Sequence, residues 1–175
     1  MTIEDANGCD GTLMLGGSDQ ALLDTTITTY VSLSQQNILC YGGSTGVVSV
    51  VNPLSPPYSY SWQDINGNVV GTTSSVSNLP AGDYTLYSSY NGGCTTVEHI
   101  TLLESALVHS DAVVTDASCN GSSDGSVVTT TFGGAGGYTY SWSPVSSTTS
   151  DLMNLMAGGY ELTITDANNC MASFP

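Results

Sequence analysis

The sequence predicts an all-β fold of small antiparallel sandwiches in tandem, and three observations carry that prediction. The chain aligns with itself, its apolar segments are short and rich in β-branched and aromatic residues, and turn signals separate them at close intervals. Hydrophobic residues make up 40% of the 175 residues, with ten Tyr and two Trp, enough to build small cores.

The repeat is plain once the two halves are set together. Cys40-Tyr-Gly-Gly-Ser-Thr-Gly-Val-Val-Ser-Val matches Cys119-Asn-Gly-Ser-Ser-Asp-Gly-Ser-Val-Val-Thr, and Tyr58-Ser-Tyr-Ser-Trp62 matches Tyr138-Thr-Tyr-Ser-Trp142. Asn78-Leu-Pro-Ala-Gly-Asp-Tyr-Thr-Leu86 then matches Asn154-Leu-Met-Ala-Gly-Gly-Tyr-Glu-Leu162, and Cys94 matches Cys170. Near the N-terminus Thr2-Ile-Glu-Asp-Ala-Asn-Gly-Cys9 reads like Thr163-Ile-Thr-Asp-Ala-Asn-Asn-Cys170, the closing piece of a further copy. Residues 1–23 are therefore expected to hold the end of an incomplete upstream repeat plus linker, with complete repeats over 24–104 and 105–175.

Strands are expected at Thr26–Leu33, Gly46–Val51, Ser126–Phe132 and Tyr160–Thr165, each rich in strand-forming residues. In the Tyr-x-Tyr-x-Trp segments the period of two places Tyr58, Tyr60 and Trp62 on one face. Asn66-Gly67, Pro80-Ala-Gly82, Asp124-Gly125, Gly133-Gly134, Gly136-Gly137 and Gly158-Gly159 are turn signals. A weak helical pattern at Ser18–Asp24 is the one competitor. A strand before the first Cys of each repeat, about four between the cysteines and one after the second suit a small sandwich.

Charge excludes whole classes of partner. There is no Lys or Arg against 15 Asp and Glu, a formal charge of −15. Phosphate recognition needs cations, so no nucleic acid is expected, and anionic lipid surfaces are disfavoured equally. No run of eighteen apolar residues exists to span a bilayer, so direct membrane insertion is not expected. Lacking Lys, the chain cannot form Lys–Asn isopeptide crosslinks, and any mechanical strength must come from disulfides, strand hydrogen bonds and packing.

Each complete repeat carries two cysteines bracketing one Trp. The simplest pairing joins Cys40 to Cys94 and Cys119 to Cys170, each contributing roughly 4 kcal/mol by loop entropy in an oxidising compartment. Cys9 is then left over as an inter-repeat or intersubunit disulfide candidate. Close Cys-x-x-Cys pairs are absent, which speaks against a zinc or iron–sulfur site.

The order Cys-x-Gly-x-x-x-Gly, Tyr-x-Tyr-x-Trp, Asn-Leu-x-Ala-Gly-x-Tyr and Asp-Ala-Asn-x-Cys resembles the SprB repeat of very large surface adhesins of gliding Bacteroidetes. The resemblance implies immunoglobulin-like or PKD-like sandwiches, type IX export, a cell-surface location and a role in adhesion or gliding. It places Cys119, Gly121, Asp124 and Gly125 in the opening motif, and Tyr138, Tyr140 and Trp142 in the aromatic strand. Leu155, Ala157, Gly158 and Tyr160 fall in the late turn and strand, and Asp166, Ala167, Asn168 and Cys170 in the closing motif. The first repeat departs from the pattern at Thr45, where the second has Asp124, and at Ser89-Tyr-Asn-Gly-Gly-Cys94.

Site chemistry is sparse. Asp5 and Asn7, Asp166 and Asn168, near Asp116 or Asp124, are candidate calcium ligands, since Asp, Asn and loop carbonyls supply suitable oxygens; the competing reading is a solvated acidic surface. Trp62, Trp142, Tyr84 and Tyr160 read as core aromatics, the tyrosines tying a loop to the sandwich in the manner of a tyrosine corner. His99 and His109 sit in no catalytic motif, no Gly-x-Ser-x-Gly elbow is present, and the Gly-rich pieces lack the Lys and helix of a phosphate loop. Asp24-Thr25-Thr26 and Asn120-Gly-Ser122 are candidate glycan acceptors. The expectation is a non-enzymatic structural segment of a surface adhesin, stalk or filament, its partners being adjacent repeats or neighbouring fibre subunits. The alternative is a module that binds a surface glycan or protein through exposed loops.

Overall fold

The structure, a computed structural model, describes residues 2–4, 10–12, 31–51, 53, 58–90 and 94–175. Cys9, Asp5, Asn7, the helical pattern at Ser18–Asp24 and most of the strand expected at Thr26–Leu33 lie outside the described residues. The chain divides into two compact units: unit 1 takes Met1–Asn37 and Ser44–Leu103, and unit 2 takes Ile38–Gly43 and Glu104–Pro175. The six-residue segment carrying Cys40 thus belongs to the unit built mainly from the second repeat.

In unit 1, β1 (Thr2–Glu4) and β2 (Asp10–Thr12) pair as a small hairpin. The sandwich proper sets β3 (Leu33–Gln36), β4 (Gly46–Val50) and β7 (Ser75–Leu79) in one sheet. The second sheet orders β6 (Val69–Gly71), β5 (Tyr58–Asp64), β8 (Gly82–Tyr90) and β9 (Cys94–Leu102). Inside it, alternation on β4 turns Val48 and Val50 inward, where they meet Trp62, Leu79, Tyr84, Leu86 and Leu102 in the buried set.

Unit 2 repeats the arrangement without the short β6 counterpart. One sheet orders β10 (His109–Thr115), β11 (Gly125–Phe132) and β13 (Leu152–Leu155). The other orders β12 (Thr139–Ser143), β14 (Glu161–Thr165) and β15 (Met171–Phe174). Val108, Val127, Trp142, Leu152, Leu155, Leu162 and Ile164 form its core. Among the described residues every pair of neighbouring strands is antiparallel, so the fold is the expected all-β one, with immunoglobulin-like strand order.

The repeat extends to backbone detail. Gly46 faces Leu79 and Gly125 faces Leu155, each beside a β-bulge. A Cβ on Gly125 would lie 3.0 Å from the Leu155 carbonyl oxygen, which accounts for the second glycine of the opening motif. Asn78 and Asn154 both take positive φ, at 60° and 58°. The β1–β2 register, Thr2 to Thr12 and Ile3 to Gly11, matches that of Thr163 to Ser173 and Ile164 to Ala172, as the sequence match of the closing motifs requires.

This connectivity gives each sandwich two poles. In unit 2 the chain enters at the start of β10. The β14–β15 turn, and with it Cys170, lies at that leading pole, because Thr139 faces Thr165 and Met171 follows. The end of β10, the start of β11 and the end of β13 meet at the trailing pole, and Cys119 lies there. Unit 1 repeats the layout: Cys94 opens β9 opposite Tyr90, and β9 ends at Leu102, whose neighbour Leu103 donates its amide to Asn37 Oδ1 just past the end of β3.

Candidate functional site at the closing turn

The closing motif Asp166-Ala-Asn-Asn-Cys170 is a three-residue hairpin loop organised by one carboxylate. Asp166 Oδ1 accepts the amides of Asn168 at 2.8 Å and Cys170 at 2.9 Å, and Oδ2 accepts that of Ala135 at 2.8 Å. The loop closes with the Asp166 amide on the Cys170 carbonyl and the Asn169 amide on the Asp166 carbonyl, Asn169 standing at φ 63°. Ala167 also donates to Gly136, so the turn is strapped to the glycine loop between β11 and β12. That loop needs its glycines: a Cβ on Gly134, at φ 55°, would sit 2.5 Å from Asp166 Oδ2. The Asp64 turn uses the same device, its Oδ1 accepting the amides of Asn66 and Asn68 around Gly67 at φ 81°.

The Ala135 amide, aided by those of Cys170 and Asn168 and opposed by burial, holds the Asp166 carboxyl below the ordinary value of 3.8. A carboxylate with a depressed folded-state pKa contributes stability above its unfolded pKa and loses it as pH falls through the folded value. Asp166→Asn is therefore expected to lower the urea midpoint of unit 2 at pH 7, because an amide NH₂ would face the Ala135 N–H. The gap from the parent is expected to narrow below pH 4; urea titrations of Trp142 fluorescence in a Trp62→Phe background at pH 7 and pH 3 check this.

Against the turn lies the Ile38–Gly43 segment. Cys40 and Cys170 form a disulfide with Cα atoms 5.5 Å apart, and the Asn168 side-chain amide donates to the Leu39 carbonyl at 3.3 Å. The Gly42 amide donates to Glu104 Oε2 at 2.6 Å, Ile38 bridges Glu104 in parallel fashion, and the Ile38 side chain is 2% exposed.

This corrects the expected pairing. Cys40 does not join Cys94, nor Cys119 Cys170; among the described residues Cys119 is a free, exposed thiol. The reason is polar geometry. The nine residues of β9 and the eight of β11 span roughly 30 Å and 26 Å at ~3.3 Å per residue, while a disulfide needs Cα atoms within about 7 Å. The opening and closing cysteines of one sandwich are at opposite poles and cannot meet.

The profile of the SprB repeat matches residues 32–67 and again residues 112–147. Two SprB repeats lie in this chain. The family places them in an extracellular, cell-surface protein exported by the type IX route. No curated protein sequence matches the chain. Among solved structures, the C-terminal 282-residue fragment of intimin in complex with the translocated intimin receptor's intimin-binding domain is similar at 12% identity over 83% of this chain, with a TM-score of 0.41. The chain spans 62% of that fragment. The mouse nectin-like molecule 4 ectodomain, Ig1–Ig3, is similar at 12% identity over 82% of this chain and 62% of its own, TM-score 0.38. An amphioxus IgVJ-C2 molecule stands at 11% identity, 75% and 94% coverage and TM-score 0.34.

The SprB aromatics behave alike in both copies. Trp62 Nε1 donates to the Thr73 carbonyl at 3.0 Å and Trp142 Nε1 to the Thr149 carbonyl at 2.9 Å, so both rings are buried with their one polar atom satisfied. Tyr84 is buried and Tyr160 half-buried. Their phenols donate to the carbonyls of Pro80 and Met156, four residues upstream, at 2.9 Å each. That is the tyrosine corner at the start of β8 and β14. Burial, with the Asp64 charge second, pushes the Tyr84 phenol up.

Among the described residues the calcium candidates are not brought together. Asp166 and Asn168 are at the leading pole of their repeat, with the Asp166 oxygens given to amide donors. Asp116 and Asp124 are at the trailing pole, where Asp124 Oδ1 accepts the Ser118 amide at 2.9 Å. Among the described residues no group of three His, Cys, Asp or Glu converges as a metal site. His99 lies within hydrogen-bond reach of Thr85 (Nδ1 to Oγ1, 3.1 Å), while His109 packs edge-on to Phe132 at 4.9 Å between ring centroids. Sequence reasoning missed that the Ile38–Gly43 loop serves the closing turn. The one signal was that Asp166-Ala-Asn-Asn169 has the turn chemistry of Asp64-Ile-Asn-Gly67, which marks Asp166 as a loop organiser.

Proposed function

We propose that this pair of SprB repeats is a tension-bearing spacer in the adhesin, stalk or filament of a cell surface. The observation that carries the reading is the Cys40–Cys170 link between the opening loop of one repeat and the closing turn of the next. Force applied along the chain reaches Cys40, crosses the disulfide and leaves at Cys170. Residues 41–169, nearly all of both sandwich bodies, then cannot be drawn out, whatever their noncovalent stability. Such a spacer holds its length under load without Lys-based crosslinks, which this sequence cannot make. The −15 charge keeps neighbouring spacers apart at low salt.

Pulling single molecules by their ends tests this. Reduction is expected to add roughly 450 Å of extension, from the 130-residue separation at ~3.5 Å per residue. Equal extension with and without reductant would sink the reading.

A second reading, adhesion to a surface glycan or protein, is favoured by one feature: an open concavity of about 500 Å³ in unit 1, lined by Asp64, Asp83, Thr85, Tyr87, His99 and Thr101. Polar hydroxyls, carboxylates and an exposed aromatic suit a sugar better than an acidic protein surface. Loss of glycan-array binding on Asp83→Ala would support it, and no binding by the parent chain would remove it.

A further inference from the structure

We infer that Cys119 is the attachment point for the closing turn of a further SprB repeat, joined by a disulfide of the Cys40–Cys170 kind. The inference extends the spacer reading and rests on it only for its mechanical meaning. Cys119 occupies the position of Cys40 in the repeat, and Cys40 is already bonded to a closing cysteine. The two loops have one shape: the Gly43 amide donates to the Cys40 carbonyl at 3.1 Å with Gly42 at φ 69°, and the Ser122 amide donates to the Cys119 carbonyl at 3.0 Å with Gly121 at φ 84°. In the second repeat the Asp124–Ser118 bond holds the loop in that shape with no partner present.

The surroundings agree. The closing Asn168 contacts its opening loop through the Leu39 backbone carbonyl, a group that Ser118 supplies equally well. Beside the Cys119 loop, an open groove of about 190 Å³ is lined by Val114, Leu155, Met156 and Tyr160, with Val114 and Met156 largely exposed. Cys119 itself is exposed, whereas Cys40 is partly covered by the turn it binds.

The partner is thus a turn of the Asp-Ala-Asn-x-Cys type, whose carboxylate arrangement presents its cysteine as Asp166 presents Cys170. In forming the bond the two thiols give up two protons and two electrons. The acceptor is a disulfide, of a thiol–disulfide oxidoreductase or a small-molecule thiol, which is reduced to two thiols as the new S–S bond forms. Repeated along an array, every internal repeat would be fastened at both poles, and the covalent rings would overlap.

The test extends the full chain after Pro175 with a second copy of residues 100–175, which continues the register set by matching Cys94 to Cys170 and carries Ser in place of its own copy of Cys119, so that the copy of Cys170 is its one cysteine. After oxidative folding, non-reducing peptide mapping is expected to find Cys119 bonded to the appended copy of Cys170, and maleimide labelling of Cys119 to fall from near-complete in the parent chain to below a tenth. A Cys119→Ser version should leave the appended cysteine fully alkylatable while Cys40–Cys170 persists. Continued full labelling of Cys119, or pairing of the appended cysteine elsewhere, would overturn the inference. Neither result alters the extension measured across Cys40–Cys170, so the spacer reading stands or falls separately.

Discussion

Trp62→Ala is expected to unfold unit 1 at 25 °C while unit 2 keeps its transition. Trp62 is fully buried at the centre of β5, and its replacement removes the largest side chain of that core. A Trp-to-Ala change in a core costs about 3–5 kcal/mol, counting lost transfer energy and the cavity left behind. The Thr73 carbonyl also loses its donor. Against this, a core built from fewer than about 80 residues rarely supplies more than 3–5 kcal/mol in total. The loss is therefore comparable to the whole stability of the unit. The chain has only two Trp, so in this variant Trp142 alone reports by fluorescence, and it reports unit 2. Hydrogen exchange should show β8 and β9 amides at unfolded rates while β14 amides remain protected. Protected β8 amides would mean that the core repacks around the cavity. Trp62→Phe, which keeps much of the volume, separates the hydrogen bond from the packing.

The sandwich was legible in the sequence because its parts are dictated locally. The Tyr-x-Tyr-x-Trp alternation sets which side chains enter the core, and a Tyr two residues after a turn glycine has a carbonyl within reach of its phenol, as Tyr84 and Tyr160 both show. The strands β7 and β13 are harder to read, since Ser-Val-Ser-Asn-Leu buries only its final Leu79, with Val76 half-buried, and Leu-Met-Asn-Leu buries only its two end residues. The disulfide connectivity is not local at all. Cysteine spacing shows which residues belong to one repeat, but the pole on which each cysteine emerges depends on the number of times the chain crosses the sheet between them. In unit 2, β11 runs from the Cys119 pole to the leading pole, β12 and β13 both run back, with residues 144–151 returning the chain between them, and β14 runs to the leading pole, so Cys170 emerges at the pole opposite Cys119. The role of Asp166 as loop organiser was hidden for a related reason: the atoms that satisfy its carboxylate are backbone amides, which every sequence supplies and none advertises.

Cys170→Ser is expected to destabilise unit 2 by about 4–5 kcal/mol. In the loop-entropy account the loss grows with the logarithm of the closed length, and the Cys40–Cys170 separation is 130 residues. If unit 1 stays folded while unit 2 opens, the mobile part of the loop is roughly halved, which lowers the estimate by under ~1 kcal/mol because the dependence is logarithmic. Loss of the bond also frees the segment that brings Ile38 into unit 2 and the Gly42–Glu104 and Asn168–Leu39 contacts, so packing adds to entropy in the same direction. The measurement is urea unfolding in a Trp62→Phe background, where Trp142 is the sole reporter, with and without Cys170→Ser, and with Cys40→Ser as the partner variant. The two single variants and the double variant should fall by the same amount, because each removes one bond. If Cys170→Ser alone were costly, the effect would belong to the sulfur's packing beside Asp166. If neither mattered, the closing turn would hold its loop by noncovalent contacts alone, and unit 2 would not need the oxidising environment that the cell surface provides.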